Sequence, residues 1–397
     1  MPDTFTSTTT QSWGGRLIQS IKSVLVGFVF FVASIPLLWW NESRAVQTER
    51  SLDEGAGVII STPADSLDPS KEGKLVHMSG MMTTQQPVAD DALPVQADAI
   101  KLARKVEMYQ WTEEKETKTE SKVGGGETTT TTYSYNKEWV EGHVDSSQFQ
   151  HPENHENPPA PQFASQTFVA DPVKIGAHKL TPEQLAKLET SVEYPVADDA
   201  AEQLPAELAE QMQVSKGKFY MGADEATPEL GDVRISYSVV KPAPVSLAAM
   251  QSGDSFAPYQ AKEGDQLLLV QEGIHTAAAM FAKAQSDNAA LTWVLRGVGF
   301  LIMFLGMLLV FKPLVVFADV IPLFGTLLGA GIGTFSFLGS AALSAFVIAA
   351  AWIFVRPLLG ISLAVITLGA LFWLLKVGRK KKAERAANAS MAPAAAS

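Results

Sequence analysis

The apolar run from Val24 to Leu38 ends in Trp39-Trp40 and gives way without a spacer to a charged segment, Asn41 to Gly55. Counted with both tryptophans the run is roughly 17 residues, near the shortest helix that crosses a hydrocarbon core of about 30 Å. The tryptophans stand where an interfacial aromatic belt would, and Asn41, Glu42 and Arg44 are expected in water directly beyond it. The rest of the chain depends on the side of the membrane to which this junction points.

Composition divides the same way. Of 397 residues, 47% are hydrophobic, and these crowd into Ile21 to Trp40 and Leu291 to Val377, while most of the acids behind the net charge of -11 lie between. An acidic balance argues against nucleic acid as a partner, because neutralising phosphates takes clustered Lys and Arg. The one tight basic cluster is Arg379, Lys380, Lys381 and Lys382. With no cysteine, neither a disulfide nor a thiolate metal site can form.

Residues 1–20 are rich in Thr and Ser, and Arg16 and Lys22 precede the apolar run like the basic region of a signal sequence. No small-residue cleavage pattern follows it, so residues 21–40 are read as a retained signal anchor. Pro36 falls in its last turns, where a freed carbonyl is easiest to satisfy.

Residues 41–290 read as one α+β, strand-rich domain. Short apolar runs bounded by Gly, Pro and Asp predict strands at Gly57 to Ser61, Lys74 to Met82 and Lys218 to Met221, and the alternation of DVRISYSVVK predicts another at Asp232 to Lys241. Ala99 to Trp111 reads mostly as strand. Thr112 to Thr132 carries charges, glycines and threonines but no apolar face, and is expected as an exposed loop or hairpin tip. Thr181-Pro182-Glu183-Gln184 supplies an N-cap, a first-turn proline and a capping-box glutamine for a helix over Pro182 to Glu189.

Residues 291–375 form a C-terminal membrane cluster. Trp293 to Phe311 is a span closed by Lys312-Pro313, with Arg296 near enough to its end to snorkel. From Val320 to Val355 there is no charge. The glycine-rich segment 320–336 can be interfacial, re-entrant or a close-packed span, and Gly325, Gly329 and Gly333 are the candidate helix-packing residues. Leu358 to Leu375 is the last span, and residues 376–397 are a basic and then alanine-rich tail. Arg16 and Lys22 at one end and Arg379 to Lys382 at the other are the topology determinants. Basic residues stay in the cytoplasm, so both ends lie there and the number of spans is even. About four spans, one N-terminal and three C-terminal, then put the domain on the far side. Asp319 beside the uncharged run reads as an interfacial loop acid, and Arg296 and Arg356 as interfacial anchors.

No stretch carries a catalytic or cofactor signature, and the chain is expected to be neither an enzyme nor a cofactor protein. His143, His151 and His155 lie among Pro152, Pro158 and Pro159, which remove the helix that an H-x-x-x-H metal face needs, so a solvated loop is the simpler reading.

Several separated stretches, in order, resemble the transmembrane protein 43 (LUMA) family over nearly the whole chain. They are Pro36 to Gly55, Lys74 to Gly80, Val106 to Glu113, Asn157 to Pro159, Gly231 to Ser238, Leu291 to Phe300 and Ala351 to Leu358. The resemblance implies one N-terminal span, a large lumenal or extracytoplasmic domain and a cluster of C-terminal spans. In animals it implies a self-associating protein of the endoplasmic reticulum and inner nuclear membrane with lamin and emerin partners. The threonine-rich insertion at Thr128 to Thr132, the alanine-rich tail and the lack of cysteine suggest a bacterial member, so those partners are not carried over.

The function expected from this is a polytopic membrane scaffold that contacts the lipid bilayer, forms a homo-oligomer and engages an unidentified membrane or extracytoplasmic protein. It would serve membrane organisation or envelope integrity from a plasma membrane with a periplasmic domain. The alternative is a membrane-anchored binding or enzymatic module whose domain recognises lipid, cell-wall material or a protein. Trp39, Trp40, Asn41, Glu42 and Arg44 are the expected docking residues between the first span and the C-terminal cluster.

Overall fold

A computed structural model describes residues 3–189 and 191–357. The chain divides into two compact units, one of residues up to Trp13 together with Arg50–Asp287, the other of Gly14–Glu49 and the residues from Asn288 onward. The sequence places the corresponding boundaries at residues 41 and 290.

Among the described residues, three long helices carry the apolar stretches: α1, Trp13–Val58; α2, Ala277–Ala318; and α3, Pro322–Val355. All three are long and apolar enough to cross a membrane. Two of them run past the ends that the sequence suggested. After Trp40, α1 meets no proline and many good helix formers (Glu42, Arg44, Ala45, Gln47, Glu49, Arg50, Leu52), so the helix persists to the glycines at 55 and 57. Only Ile60–Ser61 of the expected strand over Gly57 to Ser61 is extended. Pro313 lies inside α2 and does not end it. The segment 320–336 is neither re-entrant nor separate from Gly339 to Val355, because both belong to α3. Its glycines each cost about 1 kcal/mol against Ala in a water-exposed helix, and α3 has only apolar and small residues between them. The fourth expected span, Leu358 to Leu375, and the tail 376–397 lie outside the described residues.

The first unit is built on two large sheets, with two small two-stranded sheets beside them. Its principal strands are β1 (Asp3–Gln11), β2 (Leu75–Thr84), β3 (Lys101–Ser121), β4 (Glu127–Glu141), β5 (Lys218–Met221), β6 (Val233–Val240) and β7 (Pro244–Ser252). One sheet runs in the order β1, β4, β3, β6, β5; the other is built on the antiparallel pair of β2 and β7. In β6 buried and half-buried residues alternate, as the sequence alternation required. The inner faces of both sheets share one core, with Met78, Met82, Leu102, Met108, Phe219, Ile235 and Leu247 nearly free of solvent. A buried polar node ties this core together. Arg104 Nη1 donates to Asp90 Oδ1 at 2.6 Å and Tyr237 Oη donates to Asp90 Oδ2 at 2.7 Å. Burial, then the hydrogen bond to the Asp90 carboxylate, pushes the Tyr237 phenol well above its ordinary range.

Of the two expectations for Thr112 to Thr132, the hairpin holds and the loop does not. β3 and β4 pair without a break from Glu107 opposite Glu141 to Ser121 opposite Glu127. Threonine's branched Cβ suits extended backbone even where no face is buried. Only the tip reverses: Lys122 N–H bonds Gly126 O at 2.7 Å, and Gly124 and Gly125 take the positive φ that the turn needs. The N-terminal threonines are a strand as well. β1 lies antiparallel on β4, Asp3 opposite Tyr135 through Gln11 opposite Glu127.

The capping box predicted at Thr181 forms, although its helix is short, Pro182–Ala186.

Candidate functional site

In the second unit α1 and α2 pack antiparallel, and the polar residues after Trp40 lie in that contact. Asn41, Arg44 and Ala45 share one helix face by their three- and four-residue spacing. Their partners Asn288 and Thr292 are one turn apart on α2. Asn41 is fully buried and its Nδ2 donates to the Thr292 carbonyl at 3.1 Å. Arg44 donates to Asn288 Oδ1 at 2.9 Å and to Thr292 Oγ1 at 3.0 Å. Asn288 Nδ2 returns a bond to the Ala45 carbonyl at 2.9 Å.

Glu42 is the centre of the cluster. It is 2% exposed, and Arg296 forks onto it, Nε to Oε1 at 2.7 Å and Nη2 to Oε2 at 2.8 Å. Trp352 of α3 adds its indole N–H to Oε2 at 2.6 Å. The guanidinium also lies over the Trp293 ring, 4.6 Å from its centroid. One carboxylate therefore joins α1, α2 and α3 through charge-assisted bonds. Two turns further along α1, Glu49 pairs with Arg356. Trp39 packs on Phe354, with ring centroids 5.2 Å apart, whereas Trp40 is half exposed.

These positions correct two expectations. Asn41 and Glu42 are not in water, because the helix carries them on into the contact with α2. Arg296 does not snorkel to solvent, because Glu42 neutralises it inside the bundle. The α1 side of the cluster is marked in the sequence, but Asn288, Thr292 and Trp352 are not. The only cue to them is the polar Asn288 and Thr292 at four-residue spacing just before an apolar run.

At the other end of the same bundle Arg16 Nη2 donates to Asp319 Oδ2 at 2.7 Å, and both side chains are about nine-tenths buried. Asp319 is thus an ion-pair partner rather than a solvated loop acid. At 1.5 Å per helical residue, Arg16 and Glu42 are about 39 Å apart on α1, and Arg296 and Asp319 about 35 Å apart on α2. Apolar packing fills the space between, around Leu38, Met303 and Val347. Of the topology determinants, Lys22 is exposed, and Arg379, Lys380, Lys381 and Lys382 lie outside the described residues.

Close helix approach falls at Gly27, Gly299 and Gly306 in apolar runs rather than at the clustered glycines of α3. A Cβ on Gly27 would meet Gly306 O and Leu309 Cβ at 2.7 Å, and one on Gly299 would meet Leu38 Cδ2 at 2.5 Å. Gly325 instead lies against Asp319 in the turn between α2 and α3, Gly329 makes an ordinary contact with Val315, and Gly333 meets nothing within 4 Å among the described residues. Gly329 and Gly333 extend, by helical spacing, the buried stripe of Ser336, Ser340 and Ser344, whose last two hydroxyls face Met307 and Met303 sulfurs at 3.1 and 3.5 Å.

The histidines of the first unit do not converge. His143 holds the Pro158 carbonyl at 2.9 Å; His155 is buried, bonds the His151 carbonyl at 2.9 Å and stacks on Tyr135 with centroids 3.9 Å apart. They fasten the proline-rich connection. Among the described residues no group of three His, Asp or Glu side chains is placed to hold a metal ion. Burial, then the hydrogen bond to Glu113, pushes the Tyr135 phenol up to about 12.

Comparison with known proteins places the chain among named relatives. The family described as Transmembrane protein 43 matches residues 108–357, which draws on both units. Transmembrane protein 43 of Mus musculus is 34% identical over 355 residues, covering 86% of this chain and 87% of that protein. The Homo sapiens protein of the same name is 32% identical over 363 residues, covering 88% of each. The Transmembrane protein 43 homolog of Drosophila melanogaster is 30% identical over 366 residues, covering 89% of this chain and 94% of that protein. No solved structure matches.

Proposed function

Because the chain belongs to the transmembrane protein 43 family, and is therefore a membrane protein, we propose that it acts as a self-associating scaffold in membrane organisation or envelope integrity. The observation that carries this reading is the cluster around Glu42. Its buried charges are spent on one another, fastening three helices rather than lining a path or presenting a reactive group. In this reading the fourth crossing is Leu358 to Leu375, both chain ends lie in the cytoplasm, and residues 41–290 lie on the opposite side, in the periplasm of a bacterial cell. The Arg16–Asp319 and Glu42–Arg296 pairs support a slab between them, since their spacing slightly exceeds a hydrocarbon core of about 30 Å. Self-association would use the glycine end of α3, where the small-residue stripe continues past Ser336 to Gly333, which meets nothing within 4 Å among the described residues.

Chemical crosslinking in native membranes tests this. Oligomers are expected from the wild type and fewer of them from Gly329→Leu or Gly333→Leu. A strictly monomeric wild type would remove the self-association.

A further inference from the structure

Strand alternation in β6 turns Val233, Ile235 and Tyr237 into the core and leaves Arg234, Ser236 and Ser238 on the outer face. There they line a cleft of about 550 Å³ that lies wholly within the first unit. Neighbouring strands complete it. On one side, Glu107 of β3 is the Cα partner of Arg234, and Lys105 that of Ser236. On the other, Glu193 in the short strand Val192–Tyr194 stands opposite Ser238, and Lys216 and Lys218 line the cleft from the start of β5. Four cations thus gather on one patch of a chain whose net charge is -11.

These charges are held in place without being used up. Arg234 Nε donates to Glu107 Oε2 at 2.7 Å, and its guanidinium lies 4.5 Å from the centroid of the Trp139 ring. Lys105 Nζ donates to Glu107 Oε1 at 2.9 Å, and Lys216 pairs with Glu225 at 3.3 Å. With Lys105 on the other oxygen, Arg234 meets Glu107 through Nε alone, whereas Arg296 forks onto Glu42 with two nitrogens. Among the described residues neither Nη of Arg234 has a hydrogen-bond partner, and the same holds for Lys218 Nζ and the hydroxyls of Ser236 and Ser238. Side chains on one sheet face are about 7 Å apart along a strand and about 5 Å apart across it, so these donors converge on one volume.

We infer that this cleft binds the phosphate group of a phosphate ester. The free Nη edge of Arg234 is a fork for two phosphoryl oxygens, and it is pre-set by Glu107 and Trp139. Lys218 adds charge, and Ser236 and Ser238 donate to the oxygens that remain. Glu193 stands where it can accept a hydroxyl of the esterified alcohol. The donor count selects phosphate over carboxylate, since a phosphate ester offers three strong acceptor oxygens and a carboxylate two. A soluble ester and a lipid headgroup present the same group. Neither self-association nor the side of the membrane on which the unit lies enters this inference.

Isothermal titration calorimetry on the purified full-length protein in detergent tests it, with glycerol 3-phosphate as the soluble probe and dioctanoyl phosphatidic acid as the lipid one. Saturable binding at one site per chain is expected. Arg234→Lys keeps the charge but loses the fork, and should weaken binding about tenfold or more, as should Lys218→Ala. Lys218 makes no hydrogen bond among the described residues, so K218A keeps the test open even where R234K lowers stability. Lys122→Ala, at the tip of the arm, should leave the affinity unchanged. Binding of the lipid probe alone identifies a headgroup as the ligand, and equal binding of both identifies a soluble ester, provided that the same two variants weaken it. No saturable binding of either probe, or binding that R234K or K218A leaves unchanged, overturns the proposal.

Discussion

Glu42 accepts from two helices at once, so the two ways of changing it differ. Glu42→Ala leaves the Arg296 guanidinium buried beside Trp352 without its acid, and breaking a buried pair on one side costs about 3–5 kcal/mol. Glu42→Gln keeps an acceptor for the indole and should cost less. Thermal unfolding of the purified full-length protein in detergent, followed by circular dichroism, is expected to rank wild type above E42Q above E42A. A second residue-scale prediction concerns pH. Burial alone would raise the Glu107 carboxyl, but hydrogen bonds from Arg234 and Lys105 outweigh it and hold the group below its ordinary 4.5. A carboxyl depressed in the folded state stabilises the fold above its unfolded value, and that stability is lost as pH falls through the lower folded value. The acid limb of the unfolding temperature below pH 4.5 should therefore flatten in Glu107→Gln. An unchanged limb would show that the pairs with Arg234 and Lys105 carry no pH-dependent stability.

The elements show what could be read in advance and what could not. Periodicity identified the strands at β2, β5 and β6 and the capping box at Thr181, because each is a local pattern. The long arm of β3 and β4 escaped it, since an extended ladder exposed on its faces has no alternation to display. The Glu42 cluster was half legible. A charged segment directly after an apolar run marks Asn41 to Arg44, but Arg296 and Trp352 come into reach only through an antiparallel and a parallel helix register that no local pattern encodes. The glycines divide on the same ground. Four glycines between 325 and 333 attract notice in sequence, whereas Gly27 is a single residue in an apolar run and becomes important only when Gly306 arrives opposite. Gly27→Ala drives a methyl into the backbone of α2 and should destabilise by about 1–3 kcal/mol. Gly333→Ala meets nothing among the described residues and should stabilise by up to about 1 kcal/mol through helix propensity. Opposite signs for the two in the same melting experiment are the expected outcome.

At the scale of the whole molecule, sidedness is the property on which the proposed function turns. Val123 at the tip of the arm is 90% exposed, so V123C gives a reporter thiol for the sheet unit, and a cysteine placed after Lys382 reports the tail. In intact spheroplasts an impermeant maleimide should label the first and reach the second only after permeabilisation. Labelling of both in intact cells would put the tail outside and require an odd number of crossings. The pairs at the two ends of the bundle add a consequence for lipid composition. Arg16 is tied to Asp319 and Glu42 to Arg296, so neither pair can slide along its helix to follow the acyl chains. The bundle carries a fixed apolar height and cannot shorten it by moving its charges. Hydrophobic mismatch must then be met by tilt or by the lipid, at a cost of fractions of a kcal/mol per Å. A protein built this way is sorted toward bilayers whose thickness matches its own.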